Sequence, residues 1–309
     1  MKNLVINFTK CSPNSTIASN RIATFISKQT GFLLVDDLQT AQQIKQEMIG
    51  AIYVVNGMFG FCNFRDECVR LCYEARQLFW IGNDYNIKVP SQLKRFEFIK
   101  ACQYTTSAKE YLLDWNKLTY LKGLPIQNKI ETGILYYGAY RENRQEAFKR
   151  YFKTDIYKII VSTTPKNKSK FLSLNNKIKT VRPFPSLIKG VQYFANTIYI
   201  EDEKRAAGID LTPANRFYEC VSAKVLQLFD KNTLQSFERF GNNLDDYIVE
   251  SAADLKNKMN NKKLLTQQID YFNSFDFLDE LILEFQKFHQ ENCYYKDATK
   301  ELEIQKTLF

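Results

Sequence analysis

Three short stretches hold side chains whose types and spacing suit chemistry. The first is ILYYGAYRENR, residues 134–144. An apolar strand ends at Gly138, where the missing side chain lets a ligand approach the backbone. Arg141 and Arg144 follow, three apart and therefore on one face of the helix expected to begin there. Cations at a helix N-terminus oppose the macrodipole, so an anionic partner accounts for them, and a diphosphate fits. The plainer alternative is pairing with Glu142 and Glu146. The second stretch is LTPANRFYEC, 211–220. Thr212 or Asn215 can cap a helix whose first turn suits Pro213. Arg216 can reach a phosphate, and the Glu219 carboxylate can accept two hydrogen bonds from a ribose diol. Here the plainer alternative is an i,i+3 ion pair worth about 0.3 kcal/mol. The third is FWIGNDYNIKVPSQL, 79–93, in which a strand runs into Asn83, Asp84 and Tyr85. An Asp at the carboxyl end of a strand can serve as a general base once burial lifts its pKa; it can equally close an Asx turn.

Other chemistries lack their residues. The single histidine, His289, lies among Phe285, Lys287 and Phe288 in an expected late helix, which rules out a histidine-built zinc site. It also leaves a Ser-His-Asp triad without a credible base. There is neither GxGxxG nor GxxxxGK[ST], so the dinucleotide and P-loop fingerprints are absent. The seven cysteines show no CxxC spacing and read as buried, reduced thiols of an intracellular protein. A net charge of +9 on 309 residues favours a polyanionic partner. Arg21, Arg65, Arg70 and Lys88 are candidate phosphate contacts, and Phe59 and Phe61 candidate base wedges or stacking rings. The Lys-rich run 256–263 reads as a solvated helix face.

Elements must hold these residues in place, and their pattern is alternating. Leu4–Phe8, Phe32–Val35, Ala51–Val55 and Leu78–Gly82 are short runs apolar on both faces, separated by amphipathic stretches about 15–28, 38–48 and 66–77. That is the mark of a parallel sheet covered by helices. Strands at 98–106 and 117–122 are expected to flank one more helix. After a Gly/Pro-containing linker at 121–129 the pattern restarts, with strands at 134–138, 157–162, 179–184, 197–200 and 224–229 and helices about 143–152, 187–195 and 213–222. The remainder reads as helical. The opening MKNLVINFTK reads as a first strand rather than a signal peptide, and no apolar run is long enough to cross a membrane. The expected fold class is α/β: two Rossmann-like domains, 1–128 and 129–275, facing a central cleft. A helical C-terminal tail, 276–309, packs back on the first domain.

The strand-Gly-x-x-Arg-x-x-Arg segment and the Asn-Arg-Phe-Tyr-Glu helix, within 130–230, resemble GT-B glycosyltransferases, in particular the DNA glycosyltransferases of phages. The first half resembles that family only in layout and in Asn83-Asp84-Tyr85. The resemblance implies a UDP-sugar donor held on the second domain by Gly138, Arg141, Arg144, Arg216 and Glu219, with Arg182, Pro183 and Phe184 facing the uracil. It implies Asp84 as the base in transfer to the hydroxyl of a hydroxymethylated pyrimidine flipped out of double-stranded DNA, with Asn83, Tyr85, Phe59, Phe61, Arg65 and Lys88 on the acceptor side. It further implies no resident metal, Mg²⁺ as a non-essential activator, no membrane, and a monomer in the cytoplasm of an infected bacterium. Two rival readings stay open: the same fold acting on a protein, lipid or glycan, and a non-catalytic nucleotide or DNA binder.

Overall fold

The computed structural model describes residues 1–7, 17–44, 48–55, 63–82, 89, 91–102, 104–105, 109–184, 187–201 and 210–295. They form two compact units, Met1–Leu118 with Leu278–Phe309, and Thr119–Phe277. The division falls at residues 118/119, ten residues before the expected 128/129 boundary, and again at 277/278.

The first unit is built on a six-stranded sheet. Its strands are β1 (Lys2–Asn7), β2 (Leu33–Val35), β3 (Ile49–Val55), β4 (Ala75–Gly82), β5 (Ile99–Cys102) and β6 (Glu110–Leu112). They pair in the order β2-β1-β3-β4-β5-β6, all in parallel. Every residue of β3 is buried, because the sheet is covered on both faces. Alternate residues serve opposite faces. Val5, Tyr53, Val55, Phe79 and Ile81 pack with Phe25 and Ile26 of α1 (Ile17–Thr30). Leu4, Ile6, Ile52, Val54 and Trp80 pack with Ala41 of α2 (Leu38–Gln43) and with Cys68, Leu71 and Cys72 of α3 (Asn63–Glu74). Asp37 caps α2 by accepting from the Thr40 amide at 2.7 Å.

The segment expected to be a strand at 117–122 is not one. Trp115–Thr119 forms a 3-10 turn, and Glu110–Leu112, where a helix was expected, is the edge strand β6. The alternation there reflects burial on two sides: Trp115 and Lys117 are buried in the first unit, while Tyr120 enters the core of the second.

In the second unit the strands are β7 (Glu131–Tyr137), β8 (Ile159–Ser162), β9 (Lys179–Val181), β10 (Phe194–Tyr199), β11 (Leu226–Asp230) and β12 (Ile248–Val249). Their order is β9-β8-β7-β10-β11-β12, again parallel. Counted within the sheet this is 3-2-1-4-5-6, the doubly wound order, which reverses direction between β7 and β10. Open α/β sheets bind ligands outside the carboxyl ends of the strands at that reversal. Helices α4 (Gln145–Phe152), α5 (Pro165–Leu172), α6 (Leu187–Val191) and α7 (Asn215–Ser222) follow the strands, and α8 (Ala252–Met259) and α9 (Lys262–Asn273) complete the unit. The core is strongly aromatic: Tyr136, Phe148, Phe152 and Phe171 meet on one side, and Phe217, Phe229, Phe237, Phe240, Phe272 and Phe277 on the other.

Helix α10 (Phe277–Asn292) lies on the first sheet, with Leu281, Phe285 and Phe288 in the cluster around Tyr53 and Phe79. The tyrosine 53 hydroxyl and Nδ1 of His289 are 2.8 Å apart, so the lone histidine packs with Phe32 and Phe285 as part of this core. The ammonium of Lys117, with no exposure at all, meets Glu280 at 3.1 Å and Glu284 at 2.8 Å.

Candidate functional site

Strand β7 ends in two tyrosines followed by Gly138, and β10 ends in Tyr199 and Ile200. These ends flank the reversal of the second sheet. Gly138 has φ +148°, a backbone region that side chains disfavour. A Cβ there would stand 3.2 Å from the Tyr136 hydroxyl and 3.5 Å from Nη1 of Arg216. Thr163, just past β8, donates to the Gly138 carbonyl at 2.8 Å and fixes the bend from the neighbouring strand.

Arg144 closes the 3-10 turn Glu142–Arg144 that leads into α4. It is buried, and its Nη1 donates to the Tyr136 hydroxyl at 3.0 Å. Arg216 stands in the first turn of α7, whose N-cap, Ala214, offers no capping side chain. Its Nη2 donates to the Ile200 carbonyl at 2.6 Å, and its guanidinium lies 4.8 Å from the centre of the Tyr199 ring and 5.9 Å from that of Tyr136. The Nε of Arg216 is buried without a hydrogen-bond partner among the described residues. Burial works against this charge, but the fields of Tyr136, Tyr199, Glu201 and Tyr137 outweigh it and hold the group above the ordinary arginine range.

Glu219, one turn further along α7, is buried. Its Oε2 lies 3.1 Å from the Tyr137 hydroxyl, which is also 2.9 Å from the Arg216 carbonyl. No Arg216–Glu219 ion pair forms, so the simple i,i+3 explanation of that spacing does not apply. Burial, with Cys220 and Glu219 alongside, pushes the Tyr137 phenol well up and keeps it a neutral donor. Burial likewise lifts the Cys220 thiol to about 11, so it is no nucleophile at neutral pH. Glu146 pairs with Lys149 and Glu142 with Lys170, so neither acid takes up Arg144 as the plainer reading required.

No protein-family model matches the chain, and no curated protein matches it by sequence. Solved structures do. T4 phage β-glucosyltransferase with UDP-glucose superposes at a TM-score of 0.66 with 12% identity, over 96% of this chain and 100% of that one. The same T4 enzyme, described as DNA-modifying, gives a TM-score of 0.63 at 12% identity over the same shares of the two chains. HepE from Anabaena, solved with UDP and glucose, gives 0.57 at 9% identity over 94% of this chain and 100% of that one. The chain has the GT-B fold. At these identities the likeness is one of architecture, and the residues of the site are argued from their own geometry.

Within that GT-B fold, the site residues of the second unit fall into two groups. Gly138, Arg144, Arg216 and Glu219 converge at the carboxyl edge of the sheet. Arg141 is exposed at the N-cap of the 3-10 turn, its side chain directed away from the inward-turned Arg144. After β9, Arg182 and Pro183 are exposed; the Arg182 carbonyl accepts from Ser162 at 3.3 Å. Phe184 packs against Gly190 and has its ring 5.9 Å from that of Phe194.

In the first unit, Arg65 is largely covered within α3, 3.6 Å from Asp66. Arg70 bonds Glu67 and Glu74, each at 2.7 Å, an intrahelical ladder on the surface. Arg21 is exposed on α1. Asp84, Asn83, Tyr85, Lys88, Phe59 and Phe61 lie outside the described residues. Among the described residues no three His, Cys, Asp or Glu side chains are grouped to hold a metal, and no helix is long and apolar enough to cross a membrane.

Sequence reasoning missed Tyr136, Tyr137, Tyr199 and Thr163. The available signal was tyrosine as the last residue of a buried strand, where a hydroxyl emerges at the sheet edge while the ring stays in the core.

Proposed function

We propose that the protein is a UDP-sugar-dependent glycosyltransferase whose acceptor is the hydroxyl of a hydroxymethylated pyrimidine in double-stranded DNA. The observation that carries the donor half is the convergence of Arg144 and Arg216 on Gly138 at the reversal of the second sheet. Two guanidinium groups beside a backbone without a side chain suit a diphosphate. The unpartnered Nε of Arg216 is a donor awaiting an acceptor. Glu219 would take the ribose hydroxyls, and the segment Arg182, Pro183 and Phe184 the uracil. Arg141, on the exposed side, would reach the outer phosphate. The likeness in fold to enzymes solved with UDP-glucose supports this reading.

In the proposed reaction the hydroxymethyl oxygen attacks C1 of the sugar, Asp84 takes its proton, and the C1–oxygen bond to the diphosphate breaks. Charge builds on the leaving UDP, and fixed cations that meet it there lower the barrier, which is commonly the largest catalytic contribution. Support for DNA as acceptor comes from the +9 charge and from the DNA-modifying activity stated for the T4 neighbour. A base within a duplex must be flipped out to be reached; Asn83, Tyr85, Phe59, Phe61, Arg65 and Lys88 are the side chains assigned to hold it. No step is assigned to a metal; Mg²⁺ would act only to speed release of UDP. Such a protein would work as a monomer in the cytoplasm of an infected bacterium.

The test is incubation with a panel of UDP-sugars and duplex DNA bearing hydroxymethylcytosine or hydroxymethyluracil, followed by digestion and mass measurement of the nucleosides. A hexose or pentose adduct is expected. UDP-sugar turnover that never labels DNA would replace the acceptor with a protein, lipid or glycan. Asp84→Ala is expected to keep donor binding and lose transfer; full turnover by that variant would remove Asp84 as the base.

A further inference from the structure

Arg216 poses a physical problem. It sits in the first turn of a helix, where the macrodipole disfavours a cation, and it is sunk among aromatic rings where desolvation disfavours charge. Buried arginines usually recruit a carboxylate. Glu201 is close enough to act on Arg216 electrostatically, yet the two form no ion pair. Instead Glu201 Oε1 accepts from the Tyr199 hydroxyl at 2.8 Å. That same hydroxyl accepts the Ala214 amide at 2.8 Å, binding the N-cap of α7, while the Tyr199 ring lies beneath the guanidinium. On the other side of the sheet reversal, the Tyr136 ring also faces Arg216, and its hydroxyl accepts from Arg144.

We propose that Tyr136 and Tyr199 are paired positioning residues that hold Arg216 and Arg144 with uncharged partners, so that both guanidinium charges stay available to the diphosphate of the donor. The inference rests on the donor reading above. Each tyrosine gives its ring to Arg216 and its hydroxyl to a second group: Arg144 for Tyr136, Glu201 and the α7 N-cap for Tyr199. Cation–π contact supplies about 0.5–2 kcal/mol without neutralising the cation, which an ion pair would do. Tyr199 does one thing more. By engaging the Glu201 carboxylate it keeps a competing anion off Arg216.

The test is calorimetric titration of the full chain with UDP, UMP and uridine, with melting temperatures measured in parallel. Tyr136→Phe and Tyr199→Phe keep both rings. Each is expected to weaken UDP about tenfold, the scale of a hydrogen bond to a charged group, and to leave uridine binding unchanged. Tyr199→Phe with Glu201→Gln is expected to regain most of the UDP affinity, since no carboxylate is then left to capture Arg216. A purely structural tyrosine would weaken UDP and uridine alike and would gain nothing from Glu201→Gln; either result overturns the proposal, as does unchanged UDP affinity in both single variants. Wild-type protein that binds no UDP would instead overturn the donor reading itself.

Discussion

The Cβ position of Gly138 lies 3.5 Å from Nη1 of Arg216, so the strand end and the helix start leave no room for a side chain between them. Gly138→Ala places a methyl group there in a backbone conformation, φ +148°, that alanine resists. Strain of this kind costs about 1–3 kcal/mol. The melting temperature is expected to fall by a few degrees, and UDP affinity by more than tenfold as Arg216 and Tyr136 are pushed aside. Calorimetry and a UDP titration check both. An alanine variant with wild-type UDP affinity would show that the ligand does not approach at Gly138.

Arg141 and Arg144 are three residues apart but turn in different directions, one exposed and one buried on Tyr136. Their substitutions should therefore differ. Arg144→Ala removes a desolvated donor and is expected to weaken UDP by roughly 10- to 100-fold, whereas Arg141→Ala, losing a solvent-screened charge, is expected to cost only a few-fold. Arg144→Lys is expected to recover little, because an ammonium lacks the planar fork. Equal effects at the two positions, measured by UDP titration, would contradict the asymmetry.

Much of this was legible in the sequence, for physical reasons. Runs such as Ile49–Val55 can only be strands apolar on both faces, which fixes a parallel sheet under helices. Gly138 and the Arg-x-x-Glu of α7 announced themselves by residue type. What spacing could not reveal is direction: three residues put Arg141 and Arg144 on one face of an α-helix, but the turn there is 3-10 and sends them apart. Nor could it separate a tyrosine that fills a core from one whose hydroxyl also orders an arginine. The reading failed outright at 106–122, where the alternation of Leu118 and Tyr120 came from a chain passing between two cores rather than from a strand.

The ion pairs of Lys117 are asymmetric: the ammonium is wholly buried, while the carboxylates of Glu280 and Glu284 are 38% and 44% exposed. Removing the cation leaves acids that water can solvate; removing both acids leaves an unpaired ammonium in the protein interior. Lys117→Met is thus expected to destabilise by about 1 kcal/mol, and Glu280→Gln with Glu284→Gln by about 3 kcal/mol or more. Urea unfolding of the two variants checks the order. If the double variant were the milder, α10 would not be held to the first unit through this charge.

Lys129 precedes β7 and donates to two helix-end carbonyls, Gln192 at 2.9 Å and Ala223 at 3.2 Å. Burial lowers its pKa to about 8 from an ordinary 10.5, partly opposed by Cys220. Between those two pH values the unfolded chain binds a proton that the folded chain does not, so stability contributed by this site rises with pH across that window and is flat below pH 8. The neutral amine still donates to both carbonyls. Lys129→Met lacks the titration and leaves those carbonyls without a donor. The stability difference between wild type and variant is therefore expected to widen between pH 8 and 10, by roughly 1 kcal/mol once solvent screening of this half-buried group is allowed for. Urea midpoints of both proteins at several pH values measure it, and the subtraction cancels every other titrating group. Parallel curves would mean that Lys129 keeps an ordinary pKa in the folded protein, and that its two carbonyl contacts do not desolvate it.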